Sequence, residues 1–250
     1  MFHKLLDRKN TNASFAHLFM KTTLTVLTLA ALAGAASAAE ISGKVKLNGT
    51  PPPEKTITPD AACGKLSPKL ATRHYVVSDD KGLANVFVYV KEGAKAGAAP
   101  TEKGPLLDQV GCQYLPYVMG VQTGQHFDVK NSDSLLHNVH TLPKVQGNKE
   151  RNVGQPVPMK TDFVFDKPEV LVQFKCEVHP WMFAYVGVVE HPYFSVTDKD
   201  GSFKISGLPA GDYTVEVVHL KAGRTTQKVT VGADDKKALD FTLEAKAPGQ

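Results

Sequence analysis

Two short segments of this chain carry side chains that bind soft metal ions. The segment from Phe174 to Met182 holds a thiolate, an imidazole and a thioether, and the segment from Leu136 to His140 adds a second imidazole. The candidate ligands are His137, Cys176, His179 and Met182. Sulfur and imidazole donors in this combination suit one copper ion that alternates between Cu(I) and Cu(II). The prediction requires that side chains from two distant segments meet.

Strands on both sides of the candidate loop have to position these donors. A strand that ends at Cys176 and turns tightly directs Cys176, His179 and Met182 into one hollow. His137 then comes from a neighbouring strand, which fixes the site to two rigid elements. The β-rich run Val186–Val189 follows the loop as the next strand.

Strand patterns dominate the rest of the chain. Residues 41–47 alternate apolar and polar side chains before a Gly/Pro-rich break, and similar short β-rich runs recur between turn residues. These further runs are residues 86–90, 127–129, 163–165 and 170–172. The pattern predicts an all-β fold of the sandwich or barrel type. Only residues 60–70 are expected to contain a helical turn.

The C-terminal part has a hairpin-like pattern. Alternating strands flank the turn Asp198-Lys199-Asp200-Gly201, and a Pro/Gly turn at residues 207–211 leads into a third strand. The turn lacks the third acidic position and the distal Glu of an EF-hand loop, so we predict a plain hairpin turn instead of a calcium site.

Residues 197–213 resemble the carboxypeptidase regulatory-like (transthyretin-like) β-sandwich family in their Thr-Asp-Lys-Asp-Gly-Ser-Phe and Gly-Leu-Pro-Ala-Gly-Asp-Tyr runs. The resemblance implies that residues 40–105 supply the first strands of a split domain, which residues 191–245 complete, before a tail at 246–250. Tandem domains remain the alternative. This family likeness is structural and implies no catalysis.

Roughly residues 112–190, within a predicted copper domain at 106–190, resemble the cupredoxin (type 1 blue copper) family, and most closely its amicyanin branch. The matching motifs are Leu136-His137-Asn138-Val139-His140 and Cys176-x-x-His179-Pro180-aromatic-Met182. The resemblance implies a Greek-key β-sandwich, with His137, Cys176 and His179 as trigonal ligands, Met182 as the axial ligand, and a hydrogen bond from the Asn138 N–H to the Cys sulfur.

The loop departs from that family at Val178, where amicyanin-like loops usually have proline. A free N–H at this position offers the thiolate a second hydrogen bond. We therefore expect a higher reduction potential than proline would give, because donors to sulfur stabilise the electron-rich Cu(I) state.

The N-terminal residues have the pattern of a secretory signal peptide. Met20-Lys21 opens a short basic region, residues 24–33 are apolar, and residues 36–38 form a small-residue cleavage site. We predict a signal peptide over 1–39, with Met20 favoured as the true start, and a periplasmic or secreted mature protein. The apolar run is too short for a membrane span, so the chain is not expected to cross a membrane.

The net charge argues against a nucleic-acid partner. Of the formal charge of +4, residues 1–39 contribute +3, so the remainder of the chain is close to neutral. A nucleic-acid-binding domain carries a clustered basic surface, and this chain has none in its sequence.

Export also bears on the three cysteines, because an oxidising compartment favours pairing. Cys63 and Cys112 lie in loop-like surroundings and are the favoured disulfide, which leaves Cys176 free for a metal. The alternative, in which Cys176 pairs, stays open because connectivity does not follow from sequence.

The remaining histidines are expected to lie outside the metal site. His140 points away from His137 on an extended strand, and we interpret it as a surface residue or a support behind the ligands. We expect ordinary surface positions for four of the others, His74, His126, His191 and His219. Zinc is the competing metal for Cys plus two His, but a thioether is a poor zinc ligand.

These patterns predict a non-enzymatic, exported electron carrier, because four protein donors leave no open position on the metal. The electron is expected to leave through an exposed edge of His179, and a transient redox partner to dock near His179, Pro180, Trp181 and Phe183. Core packing is the alternative role for Trp181. The rival functions are copper storage or delivery in the periplasm and a β-sandwich binding module with a structural metal.

Overall fold

The computed structural model describes residues 38–246. The predicted signal peptide, residues 1–39, lies outside this range except for its last two residues, as does the predicted tail after residue 246. Within the described range no helix has the length and apolar character needed to cross a membrane.

The regular secondary structure of the described residues is almost entirely β-strand, and the predicted all-β class with two β-sandwiches is confirmed. The one short helix among the described residues confirms the helical turn expected between residues 60 and 70. In chain order the elements are β1 (Ala39–Asn48), β2 (Thr56–Ile57), α1 (Ala61–Leu66), β3 (Leu70–Ala71), β4 (Phe87–Glu92), β5 (Leu107–Gln109), β6 (Tyr114–Leu115), β7 (Val118–Gln122), β8 (Phe127–Asn131), β9 (His137–Leu142), β10 (Arg151–Gln155), β11 (Met159–Phe163), β12 (Glu169–Lys175), β13 (Phe183–Val189), β14 (Phe194–Val196), β15 (Ser202–Leu208), β16 (Gly211–His219), β17 (Gly223–Val231), β18 (Lys236–Ala238) and β19 (Phe241–Glu244).

The first sandwich, here called the outer sandwich, combines strands from both ends of the described range. One sheet has β1 between β15 and β18, with β19 also paired to β1, and the other has the order β14-β4-β16-β17. The alternating side chains of β1 put Ile41, Val45 and Leu47 into its core. β1 and β4, which precede residue 93, therefore pair with strands that follow residue 193, whereas β2 and β3 pair only with each other.

The turn at residues 198–201 is present, but the hairpin predicted around it is wrong. Gly201 adopts a positive φ of 78°, and its N–H donates to Asp198 O (2.9 Å). However, β14 pairs with β4 while β15 pairs with β1, so the turn carries the chain from one sheet to the other. The local alternation of apolar and polar residues determines that two strands and a turn form here. The strands with which they pair lie far away in sequence.

The second sandwich, here called the central sandwich, contains β5 to β13. Its sheets have the orders β10-β9-β12-β13-β7 and β11-β8-β5-β6. Inward-facing aromatic side chains of neighbouring strands pack against one another in its core, at ring-centroid distances of 5.7–6.1 Å between Phe127, Phe163 and Phe174. This core buries one side of the strands that lead into the candidate site.

An aromatic interface joins the two sandwiches. Phe87 and Val218 of the outer sandwich pack in one cluster with Tyr117 and Tyr185 of the central sandwich. The strands approach so closely that a Cβ added at Gly187 would lie 2.4 Å from the Phe87 ring. Glycine is therefore required on β13 at this crossing.

Residues 50–75, here called the strap, connect β1 to the remainder of the outer sandwich and lie against the central one. The strap contains α1, whose N-cap Asp60 accepts hydrogen bonds from two backbone N–H groups of the first turn. A disulfide joins Cys63 of α1 to Cys112, which confirms the favoured pairing and leaves Cys176 as the free, buried cysteine of the described residues. The strap is thus fastened covalently beside the predicted ligands.

Candidate metal centre

The register between β9 and β12 brings the two ligand segments together. The strands are antiparallel, with Lys175 opposite His140. β12 ends at Lys175, but β9 begins three residues before His140, at His137. The first residues of β9 therefore lie beside the loop of residues 176–182.

This loop folds back on itself between β12 and β13. The Cys176 N–H donates to Met182 O (3.1 Å), and the Met182 N–H donates to His179 O (3.0 Å). Met182 is fully buried and belongs to the same apolar cluster as Cys176, which is 2% exposed. Backbone hydrogen bonds thus hold all three ligand positions of the loop within one tight turn.

Three of the four predicted donors converge on one point. The Nδ1 atoms of His137 and His179 are 3.0 Å apart, and the Cys176 sulfur lies 3.7 Å from the His179 Nδ1. Their ligand atoms lie within 4.8 Å of one another, and all three residues are buried. A thiolate and two imidazole nitrogens facing one another, with a buried thioether in the same loop, fit a soft or borderline metal ion such as copper.

A carboxylate lies behind each imidazole. Asp133 Oδ2 is 2.9 Å from the Nε2 of His137, and Asp60 Oδ2 is 3.5 Å from the Nε2 of His179. Each contact occupies the far nitrogen of the ring and leaves Nδ1 directed at the shared centre. Metal-binding histidines commonly have such a partner, which fixes the tautomer and the ring orientation.

The pKa values of the two imidazoles are shifted in opposite directions by their surroundings. Burial lowers the pKa of His137, but hydrogen bonds with Cys176 and Asp133 outweigh it, so the pKa of His137 is raised. The pKa of His179 is lowered, first by burial and then by the neighbouring His137. Of these two imidazoles, His137 therefore binds a proton more readily, and His179 is more readily available as a neutral candidate ligand.

The sulfur of Cys176 is surrounded by donors. The Asn138 N–H donates to it at 3.4 Å, as the cupredoxin resemblance implied. Burial raises the pKa of this thiol, but a hydrogen bond from His137 lowers it. The backbone N–H groups of Asn138, His179 and Val178 lower the pKa further, to below its ordinary value. The site therefore favours the thiolate that binds metals.

Two functional neighbours were not predicted. Asp133 was not among the predicted site residues, although its position four residues before His137 was an available signal. Asp60 was expected only within a helical turn, and nothing in the local sequence connects it with His179. Asp133 also accepts hydrogen bonds from the backbone N–H groups of Gly111 and Cys112 (both 2.8 Å), so one carboxylate orders the ligand and the disulfide.

The expected exposed edge of His179 is wrong. His179 is only 5% exposed, because the strap lies over it. The disulfide sulfurs of Cys63 and Cys112 lie within 4.8 Å of one of its ring nitrogens, and the Trp181 N–H donates to Cys112 O (3.0 Å). Of the predicted docking residues, Pro180 is exposed, and Trp181 and Phe183 are half-buried.

Trp181 has features of both roles considered for it. Its indole ring packs against the buried core of the central sandwich, with its centroid 5.3 Å from the His179 ring, yet part of its surface reaches a cavity beside the loop. Trp181 therefore connects the predicted ligand His179 with a solvent-accessible space.

His140 lies apart from the donor group. Its two ring nitrogens contact the carboxylates of Glu150 and Glu177, and these hydrogen bonds raise its pKa. This arrangement agrees with the interpretation of His140 as a residue directed away from His137.

The expectation of surface positions fails for two of the other four histidines. His126 is exposed and His74 is half-buried, whereas His191 and His219 are 8% and 3% exposed. The His191 Nε2 lies 2.7 Å from Val90 O, and the His219 Nδ1 accepts from the backbone N–H of Ala222 (3.0 Å). Each buried ring is satisfied by backbone groups, which the surrounding sequence did not reveal.

Residues 182–244 match the family described as carboxypeptidase regulatory-like domain. The match begins in the ligand loop and includes β13 of the central sandwich, followed by β14 to β19 of the outer sandwich. It covers about a quarter of the chain. No curated protein matches the chain in sequence.

Solved structures similar to parts of this chain include three copper proteins. A Cu-containing nitrite reductase from Thermus scotoductus SA-01 aligns with 22% identity and a TM-score of 0.32 over 41% of this chain and 25% of its own. A mutant of amicyanin in its Cu(I) form aligns with 20% identity and a TM-score of 0.31 over 34% and 80%. A purple cupredoxin from Nitrosopumilus maritimus aligns with 26% identity and a TM-score of 0.26 over 30% and 80%.

These alignments are partial. This chain spans only a quarter of the nitrite reductase it matches, and each alignment leaves more than half of this chain unmatched. At these TM-scores the likeness carries no conclusion about activity, which has to come from the side chains of the site.

Proposed function

We propose that this protein is an exported copper protein of the type 1 blue-copper class that carries single electrons between redox partners. The convergence of His137, Cys176 and His179 within 4.8 Å in a buried pocket is the observation that carries the proposal. Met182, which is buried in the same loop, would supply a fourth donor. These four residues would hold one ion.

The donor chemistry favours copper over zinc. Two imidazoles, one thiolate and a thioether suit an ion that spends part of its time as Cu(I), while zinc sites use thioether sulfur poorly. When bound, the copper supplies a one-electron couple between Cu(II) and Cu(I). The protein contributes a rigid set of donors whose positions are fixed before the metal arrives.

Each surrounding residue has a part in this role. Asp133 orients His137, and the Asn138 N–H donates to the Cys176 sulfur, which moderates the negative charge of the thiolate. Ligands held by backbone hydrogen bonds and packed side chains move little when the charge of the site changes. A small rearrangement favours rapid electron transfer.

The burial of the site supports a carrier instead of an enzyme. Four protein donors occupy the coordination positions, and the strap covers His179, so the described residues leave no open approach for a substrate to the donors. We propose that a redox partner docks transiently on the loop side, where Pro180 is exposed and Trp181 and Phe183 are half-buried.

An exported location agrees with the covalent structure. The Cys63–Cys112 disulfide is typical of proteins that fold in an oxidising compartment. Together with the signal-peptide pattern of the sequence, it supports a periplasmic or secreted protein.

A copper titration of the mature protein tests the proposal. Cu(II) should give an intense visible thiolate-to-metal band, an EPR spectrum with a small copper hyperfine splitting, and a reversible one-electron couple at one ion per chain. Cys176→Ser should abolish the colour, while His140→Ala, which changes a histidine outside the donor group, should retain it.

The alternatives give distinct results in the same titration. A pale copper complex without a reversible couple would indicate storage or delivery. Preference for zinc over copper would indicate a structural metal. Either result would overturn the electron-carrier proposal.

A further inference from the structure

A cavity of about 280 Å³ lies between the strap and the loop that carries His179. Leu70 and Ala71 of the strap line one side, and Tyr117, Trp181 and Phe183 line the other. Most of the lining is apolar and aromatic, and the cavity opens to solvent. Its size and lining suit a small molecule with one planar ring.

Two polar groups of this cavity lack the partners that such groups usually have. The Arg73 guanidinium donates to Tyr114 O (3.0 Å) and lies over the Tyr117 ring at 4.8 Å. No carboxylate among residues 38–246 lies within salt-bridge distance of it. The Nδ1 of His74 is buried and has no hydrogen-bond partner in the described part of the chain. A partly buried cation and an unpaired ring nitrogen therefore border one apolar space.

The charges around these groups favour an anion. Lys55 and Lys221 act on His74 as positive neighbours, and Glu54 is the acidic group that opposes them. The Glu54 carboxylate is already occupied, because it accepts from the Tyr75 N–H (2.5 Å) and from the Thr72 hydroxyl. Arg73, Lys55 and Lys221 outnumber this single carboxylate, so the side of the cavity near His74 and Arg73 keeps unbalanced positive charge.

We infer that this cavity is a binding site for a small aromatic carboxylate. The ring packs against Trp181, Tyr117 and Phe183, and the carboxylate pairs with the free donors of Arg73, whose planar guanidinium matches a carboxylate in geometry. Because the Trp181 ring also packs on His179, the occupant lies next to the ligand loop. Neither the lining nor the charges depend on a bound metal.

Benzoate binding to the metal-free, full-length mature protein tests this site. Trp181 is the only tryptophan of the chain, so its fluorescence reports the cavity directly, and calorimetry measures the affinity independently. Benzoate should bind saturably. Benzyl alcohol, which has the ring without the charge, and acetate, which has the charge without the ring, should each bind at least about tenfold more weakly.

Two variants separate binding from folding. Arg73→Met removes the cation and should weaken benzoate binding about tenfold or more. Ala71→Phe fills the cavity while retaining Arg73 and should also abolish binding. Arg151→Met is the matched control, because Arg151 lies over the Phe163 ring (4.2 Å) away from the cavity, and it should bind benzoate normally. Circular dichroism and the unfolding midpoint establish that each variant is folded.

Absence of saturable benzoate binding to the folded wild-type chain would overturn the inference. Equal affinities for benzoate and benzyl alcohol, or normal benzoate binding by either folded cavity variant, would overturn it as well. The copper-loaded protein should bind benzoate too, so failure of the copper proposal and failure of this site are separately visible.

Discussion

Replacing Val178 by proline should lower the reduction potential of the copper-loaded protein. The substitution removes one of the backbone N–H groups that lower the pKa of Cys176, and the Val178 side chain is 45% exposed, so the proline ring extends into solvent. The sulfur carries more negative charge when copper is Cu(I), and loss of a donor therefore destabilises the reduced state. The potential must then fall.

The magnitude follows from the strength of one such bond. A hydrogen bond to a charged group contributes about 1.5–3 kcal/mol, and because sulfur bonds are long we take roughly 1 kcal/mol as the part that differs between the two oxidation states. At about 59 mV per 1.4 kcal/mol for one electron, the potential should drop by roughly 40 mV.

Voltammetry of the copper-loaded wild type and variants measures this shift. Val178→Ala is the matched control, because it shortens the same side chain but keeps the N–H, and its potential should stay near that of the wild type. The visible band must be present in both variants, so that the same site is compared. An unchanged or raised potential in Val178→Pro would refute the assignment of this N–H as a donor to the thiolate.

Three further predictions concern the groups around the site and the outer sandwich. Replacing Cys63 and Cys112 together by serine removes a cross-link between residues 49 positions apart and should lower the free energy of unfolding by about 4 kcal/mol in a denaturant titration; equal stability would contradict a structural role for the bridge. Asp133→Ala removes the partner of His137 and should weaken copper binding by roughly 10–100-fold in a competition with a chelator, so an unchanged affinity would show that this carboxylate does not orient the ligand. Burial lowers the pKa of His219 to about 4. Between about pH 6.5 and pH 4 the unfolded chain therefore binds a proton at this residue, whereas the folded chain does not. The free energy of unfolding should fall by about 2 kcal/mol from pH 7.5 to pH 5. In His219→Asn this part of the pH dependence should vanish, and an unaltered profile would exclude His219 as its source.

Local patterns in the sequence were sufficient for many of the strands. The alternation in residues 41–47 predicts a half-buried strand, and β1 has Ile41, Val45 and Leu47 on one face. The turn at Asp198–Gly201 was predicted correctly for a similar reason, because Gly201 supplies the positive φ that the turn requires. These features depend on a few neighbouring residues.

Pairing between strands did not follow from the same patterns. β14 and β15 are adjacent in sequence but belong to opposite sheets, because each finds its partner in a strand more than a hundred residues earlier. His219 was expected at the surface since its neighbours gave no contrary signal. It is buried because β16 lies between β4 and β17 and its end is covered by the following turn.

The sequence alone determines which candidate donor atoms the chain offers. The spacing of Cys176, His179 and Met182 within one loop, and a histidine at the start of a separate strand, specify which atoms are available and which metals they prefer. The cysteine composition favoured the Cys63–Cys112 bridge without excluding a bridge to Cys176, and the structure decided between them.

Only the tertiary structure decided how the donors are enclosed. The strap brings Asp60 to His179 and the Cys63–Cys112 bridge over it from positions more than sixty residues away in sequence, and so buries a ligand that was expected at the surface. Such contacts depend on how long loops close and on which faces pack together. Neither is encoded in the periodicity of the residues concerned, so the sequence predicts which side chains are available for a metal site but not how deeply they are buried.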